Sequence, residues 1–330
     1  MKVGVFSSKS YDREFFSARN RNLGFDLGFL DIALNKETVE LARYFDAVSV
    51  CVDDLVDSSV LRALKSFDIH HVALRCSGFN NIDLKQAHKL GIGVSRVPNY
   101  SAESVAEHTL AIILALNRKL LKAGNRVLDN NFGIEGLLGF NLRNKTVGVV
   151  GTGAIGLTLV KILSGFGCKI LCYDPVQSAD VTALGHNYVS LQELIKESDV
   201  ISLHCPLTED SQHMLDHEAI QNMKDKVMII NTSRGGLINT QAIISGLKSK
   251  KIGYLGIDVY EMESELANND LICEKIPLDT YQRLATFPNV LITSHQGFFT
   301  SESLVQIADT TLRNLQYYFA GKVCDETFLL

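Results

Sequence analysis

The chain has 330 residues, of which 46% are hydrophobic and 21% charged, with a formal charge of −5. That length accommodates two domains, and the composition is too apolar for a disordered chain. With no dense Lys/Arg block, neither a nucleic acid nor an anionic membrane surface is an expected partner. The seven cysteines show no C-x-x-C spacing and no His/Cys cluster of metal-site type, so no metal is expected and the thiols read as reduced, in a cytoplasmic protein. The N-terminal run is too short for a secretory signal, and no apolar stretch nears the roughly 20 residues that span a bilayer.

In chain order, strand candidates lie at 3–6, 47–52, 72–75 and 94–96, with helical periodicity at 38–44 and 60–66 between them. After Pro98 the texture changes. Ser101 reads as an N-cap, Ser104 and Glu107 as a capping box, and apolar periodicity continues as one helix to about Leu128. Arg118, Lys119 and Lys122 fall at helical spacing and read as a solvated face. From Thr146 the alternation restarts, with strands at 147–150, 169–173, 200–204, 227–231, 256–259 and 290–293, and a last amphipathic helix over 301–319. Such alternation predicts an α/β fold with parallel sheets. The two neighbouring histidines, His70 and His71, would face opposite ways on a strand and so form no metal pair.

Gly151-Thr152-Gly153-Ala154-Ile155-Gly156 follows one of these strands directly and opens a helix with a buried apolar face. In that context the glycines have separate tasks. Gly151 makes the tight turn, Gly153 admits a pyrophosphate close to backbone, and Gly156 lets helix approach strand. The helix N-terminus then supplies N–H groups and a positive dipole end for phosphate. Asp174 ends the next strand, where a carboxylate accepts from the adenosine ribose hydroxyls and repels a 2′-phosphate, favouring NAD. It would otherwise be a turn aspartate before Pro175.

Arg234, Asp258 and His295 each stand just past the end of a predicted strand, where doubly wound sheets present ligands. Reduction of a 2-keto acid needs a cation for the carboxylate and carbonyl, an acid titrating near neutrality, and a carboxylate favouring the imidazolium. Arg234, His295 and Glu263 supply these types. Taken singly, Arg234 is also explained as a turn residue, His295 as a structural strand-end histidine, and Glu263 as part of a solvated acidic run.

The pattern resembles the D-isomer-specific 2-hydroxyacid dehydrogenase family, and within it the bacterial fermentative D-lactate dehydrogenases. The similarity runs nearly end to end. It rests on residues 74–83 (LRCSGFNNID), 97–101 (VPNYS), 106–108 (AEH), the glycine motif, 203–208 (LHCPLT), 231–236 (NTSRGG), 256–263 (GIDVYEME) and 294–299 (SHQGFF). The resemblance implies two Rossmann-like domains. The NAD-binding domain (100–298) would be inserted into a discontinuous substrate-binding domain (1–99 and 299–330), and the region after Ser101 would serve dimerisation.

By the same resemblance Arg234, Glu263 and His295 are catalytic, with Arg234 on the substrate carboxylate, His295 as acid/base and Glu263 paired with it. Tyr100 and the N–H groups of Ser77 and Gly78 would hold the carboxylate, with Phe299, beside Phe79 and Phe298, narrowing the pocket. Ala154, Ile155, Asp174, Cys205, Pro206, Thr232 and Ser233 would line the NAD, with Asp258 at the nicotinamide carboxamide. Ser211 lies near the cofactor where many relatives carry asparagine, and Gly297 stands where alanine is common. With Cys205 against the cofactor, oxidation of its thiol would inhibit. The expected ligands are a small 2-keto acid and its 2-hydroxy acid, and the expected assembly is a homodimer or homotetramer. A relative acting on a bulkier 2-keto acid, and an NAD-responsive regulatory binding protein of the same fold, are the alternative functions.

Overall fold

The computed structural model describes residues 1–261 and 278–330, so Glu263 and Cys273 lie outside the described residues. Two compact units are present: Met1–Ser101 with Phe299–Leu330, and Ala102–Phe298. Each is a doubly wound α/β layer, as the sequence pattern predicts.

In the first unit β1 (Lys2–Val5), β2 (Asp26–Phe29), β3 (Ala47–Val50), β4 (His71–Leu74) and β5 (Gly93–Ser95) form a parallel sheet in the order β2-β1-β3-β4-β5. This is the 2-1-3-4-5 order of doubly wound sheets. Helices α1 (Ser10–Asn20), α2 (Ser58–Ser66) and α3 (Leu84–Leu90) connect the strands. Both β3 and β4 are buried throughout, hence their unbroken apolar character in sequence. β2 escaped prediction because it is a partly exposed edge strand interrupted by Gly28. The ring of Phe45 fills the space there: a Cβ on Gly28 would lie 2.3 Å from Phe45 Cε1. The predicted helix at 38–44 is a short 3₁₀ segment, Val39–Tyr44.

The second unit opens with α4 (Ala102–Arg118), whose buried residues Val105, Thr109, Ile112, Ile113 and Leu116 recur at helical spacing. Because α4 starts at Ala102, Ser104 lies inside its first turn rather than at the N-cap position. Nor does the helix run unbroken to Leu128. Lys119 adopts φ +52°, and a separate helix α5 (Leu120–Leu128) follows. The break is held from outside. The Asn117 side chain donates to Phe140 O (2.7 Å) and accepts from Phe140 N (2.8 Å), while the Lys119 ammonium donates to Leu138 O and sits over the Tyr254 ring. Lys119 is therefore engaged rather than part of a solvated face.

Beyond α5 come β6 (Thr146–Val150), α6 (Ala154–Ser164), β7 (Lys169–Tyr173), α7 (Ala179–Ala183), β8 (Asn187–Tyr188), α8 (Leu191–Glu197), β9 (Val200–Leu203), α9 (His217–Asn222), β10 (Val227–Asn231), α10 (Thr240–Lys248), β11 (Ile252–Ile257), α11 (Leu278–Ala285) and β12 (Val290–Ile292). The chain ends in the first unit with α12 (Ser301–Phe319). The sheet order is β12-β11-β10-β9-β6-β7-β8, all parallel. Strand order reverses at β6, which lies between β7 and β9. Outside the carboxyl ends of β6 and β9 is where such sheets bind ligands. Both β6 and β10 are buried along their whole length, so the connections leaving their ends are anchored on rigid backbone.

Candidate active site

Gly151 follows β6 with φ +92°, in the left-handed half of conformational space that favours glycine. Its position is also crowded, since a Cβ there would lie 2.6 Å from Cys205 N and His204 C, at the end of β9. A Cβ on Gly156 would meet Gly151 O at 2.0 Å, which shows how closely α6 approaches the turn. Gly153, by contrast, has nothing within 4 Å of its notional Cβ. Of the three glycines of this turn, Gly153 is thus the one with open space beside it, at the N-terminus of α6. Such a cradle fits a dinucleotide pyrophosphate.

Asp174 follows β7, where it accepts from Thr152 N (2.7 Å) and Val176 N (2.8 Å). These bonds fix the carboxylate at the edge of the same turn. The Cys205 carbonyl accepts from Ser233 Oγ (2.7 Å), tying the loops after β9 and β10 together. Ser211 caps the neighbouring 206–211 loop, accepting from Thr208 N (2.8 Å) and donating to Pro206 O (2.8 Å). Thr232 shares a hydrogen bond of 2.9 Å with Thr109 of α4.

Burial pushes the Cys205 thiol up to about 11. Its sulfur, 3.7 Å from Met214 Sδ, is therefore protonated at neutral pH. That tempers the expectation of ready oxidation. Alkylation of Cys205 by iodoacetamide should be slow at pH 7 and should accelerate about tenfold per pH unit toward 11, followed by mass spectrometry of the 205 peptide. A fast, pH-independent reaction would contradict the burial argument.

The turn carrying Arg234 is stapled by a residue that the sequence reading passed over. Fully buried Asn231, the last residue of β10, donates to Arg234 O (2.9 Å) and accepts from Ser233 N (3.1 Å). An asparagine closing an apolar strand was the available signal. The Arg234 guanidinium, half-buried, donates through Nη1 to Ser233 O (2.7 Å). At Gly235 a Cβ would lie 2.2 Å from Tyr260 C and O, so this turn packs directly on the backbone leading to Glu261. Glu261 is itself occupied: its carboxylate bonds His213 Nε2, Thr240 Oγ1 and Thr240 N. That gives Glu261 a structural role; Glu263, the expected partner of His295, lies outside the described residues.

His295 follows β12 and has φ +52°, a conformation in which histidine is enriched among non-glycine residues. Its N–H donates to Asp258 O (2.8 Å). The Asp258 carboxylate, 2% exposed, accepts from Gln296 N (2.9 Å), Gly297 N (2.8 Å) and the Thr293 hydroxyl, with His108 Nε2 at 3.3 Å. Burial alone would raise its pKa, but the bonds from His108, Thr293, Gln296 and Gly297 outweigh that and hold it below the ordinary carboxylate value. The loop bearing His295 is thus wound around one ionised carboxylate.

In the first unit, Ser77, Gly78 and Phe79 follow β4 in a loop held by Arg96. Nη1 of Arg96 donates to Ser77 O (3.0 Å), and its guanidinium sits over the Phe79 ring. Cys76 Sγ donates to Gly78 O (3.3 Å). Tyr100 lies half-buried near the end of the first segment of this unit, and Phe299, half-exposed, stacks edge-on against Tyr11 at 4.8 Å. Among the described residues no group of three or more His, Cys, Asp or Glu could hold a metal, and no helix is long and apolar enough to cross a membrane.

A doubly wound sheet with a glycine cradle at its switch point, an acidic residue just past the next strand, and an arginine and a histidine on the loops after β10 and β12 fits a nicotinamide-dependent dehydrogenase. The comparisons agree with that class. The model of the D-isomer specific 2-hydroxyacid dehydrogenase NAD-binding domain matches residues 110–297, more than half of the chain. A 2-hydroxyacid dehydrogenase homolog of Haemophilus influenzae is 50% identical over 329 residues, covering 100% of this chain and 99% of its own. The structure of D-lactate dehydrogenase from Escherichia coli is similar at a TM-score of 0.92 and 45% identity, with both chains covered completely. That of D-lactate dehydrogenase from Aquifex aeolicus, complexed with NAD and lactic acid, gives 0.88 and 34%, over 99% of this chain and 98% of that one. The chain belongs to the D-isomer-specific 2-hydroxyacid dehydrogenase family and is an NAD-dependent enzyme.

Proposed function

We propose that the protein is an NAD-dependent D-lactate dehydrogenase, interconverting pyruvate and D-lactate. The observation that carries this reading is the pairing of the Gly153 cradle with Arg234 and His295 on rigid strand-end loops, in a chain 47% identical to D-lactate dehydrogenase of Escherichia coli over 98% of its length. The dinucleotide is assigned to the Ala102–Phe298 unit. Gly151, Gly153, Ala154, Ile155 and Gly156 would hold its phosphates, and Asp174 its ribose. Cys205, Pro206, Ser211, Thr232, Ser233 and Asp258 would line the rest. When bound, NADH supplies the hydride. The Arg234 guanidinium holds the pyruvate carboxylate by two charge-assisted bonds and polarises the carbonyl. The His295 imidazolium releases its ring proton to the carbonyl oxygen as the alkoxide develops, and Glu263 favours the imidazolium form. Ser77, Gly78, Tyr100 and Phe299 of the first unit are assigned to substrate carboxylate binding and pocket shape.

The reading extends to assembly and location. α5 buries none of its residues, and Leu121, Leu128, Ile134 and Leu138 are 62–88% exposed, an apolar surface suited to a second copy of the chain in a homodimer or homotetramer. The proposed location is the cytoplasm, whose reducing conditions suit a chain with free thiols at its six described cysteines.

The test is NADH oxidation with a panel of 2-keto acids, followed by chiral analysis of the product. Pyruvate turned over to D-lactate, with little activity from NADPH, supports the reading. Preference for a bulkier keto acid would keep the mechanism and change the substrate. No turnover despite NADH binding would favour a regulatory binding protein. Arg234→Ala should raise the KM for pyruvate roughly 100-fold or more through loss of two charged hydrogen bonds, and Arg234→Lys should restore it only in part. A KM close to wild type in Arg234→Ala would remove the arginine from this role.

A further inference from the structure

His108 belongs to the 106–108 stretch that carries part of the family resemblance, yet the hydride-transfer chemistry gives it no task. It projects from α4 with its side chain 17% exposed. Its Nε2 lies 3.2 Å from Thr293 Oγ1 and 3.3 Å from Asp258 Oδ1. The Thr293 hydroxyl donates to the same Oδ1, so its oxygen is left to accept, and a hydrogen on His108 Nε2 serves both acceptors.

The consequence lies in what Asp258 holds. Its carboxylate receives the N–H groups of Gln296 and Gly297, and its carbonyl receives the N–H of His295. The Thr293 hydroxyl and the N–H groups of Gln296 and Gly297, on either side of His295, are therefore positioned by the rotation of one buried side chain, while the His295 N–H is held by the Asp258 backbone. There is little slack around it: a Cβ on Gly297 would lie 3.0 Å from Asp258 Oδ2 and 3.4 Å from His108 Cδ2. His108 is the contact that reaches this carboxylate from α4 rather than from the loop itself. We propose that His108 is a positioning residue for His295: bonding Asp258 and Thr293 from α4, it fixes the carboxylate around which the loop is wound, and so the place of the imidazole. This rests on the reading of His295 as the acid/base. A displacement of about 1 Å at such a group costs on the order of 100-fold in rate.

The experiment compares His108→Ala and His108→Gln, each alone and combined with His295→Ala. It measures kcat, the KM for pyruvate, NADH affinity by fluorescence and Tm. His108→Ala should lower kcat about 30- to 100-fold while the KM and NADH affinity stay within about threefold. His108→Gln, which keeps a side-chain N–H donor, should recover to within about fivefold of wild type. Since His108 acts through His295, His108→Ala should have no further effect on kcat in the His295→Ala background. The proposal is overturned by a His108→Ala kcat within about twofold of wild type, by an equal loss in the His295→Ala background, or by His108→Gln behaving like His108→Ala. A wild-type kcat in His295→Ala alone would instead overturn the acid/base assignment, a result distinguishable from a silent His108→Ala.

Discussion

His295→Ala should lower kcat by about 10²- to 10⁴-fold, the usual contribution of a positioned general acid. NADH should still bind with near-wild-type affinity. The separation follows from the architecture: the glycine cradle is built at the ends of β6 and β9, whereas His295 is held by Asp258 beyond β11 and β12. Removing the imidazole leaves the Asp258 bonds to Gln296 N and Gly297 N intact, because they are made by backbone donors. Stopped-flow single turnovers, with NADH binding followed by fluorescence, would measure the two quantities independently. A variant with unchanged single-turnover rate would exclude His295 as the proton donor, and one that failed to bind NADH would show that its ring supports the cofactor instead.

The second large effect is a contrast between two glycines two residues apart. Gly151→Ala should destabilise the fold and abolish measurable NADH binding, because the new Cβ must displace backbone at His204 and Cys205 while holding φ +92°. Burial of that kind of clash costs about 1–3 kcal/mol, and the strained φ adds to it. Gly153→Ala meets no protein atom within 4 Å and has an ordinary backbone, so its Tm should match wild type. Its NADH affinity should nonetheless fall by roughly tenfold or more, since the methyl group occupies space assigned to the pyrophosphate. Thermal melts with and without NADH decide the matter. If both variants melt alike and bind alike, the open space at Gly153 is not the phosphate cradle.

Much of this molecule was determined by local sequence. Fully buried parallel strands such as β6 and β10 must be continuous apolar runs, and their spacing announces the alternation of strand and helix. The G-x-G-x-x-G motif specifies its turn through sterics that depend on the glycines alone. Strand-end polar residues such as Arg234 and His295 stand out because a polar group ending an apolar run is conspicuous. Other features depend on partners distant in the chain, and tertiary structure alone decided them. The helix after Ser101 breaks at Lys119 because residues 138–140 and Tyr254 dock there, a contact that helical periodicity does not encode. The edge strand β2 pairs with β1 under the ring of Phe45, which fills the space above Gly28. The grip of His108 and Thr293 on Asp258 joins α4 to loops roughly 150 to 185 positions away in the chain. Hydrogen-bond networks of that reach follow from how sheets and helices stack, so the sequence named the residues and the fold decided what they hold.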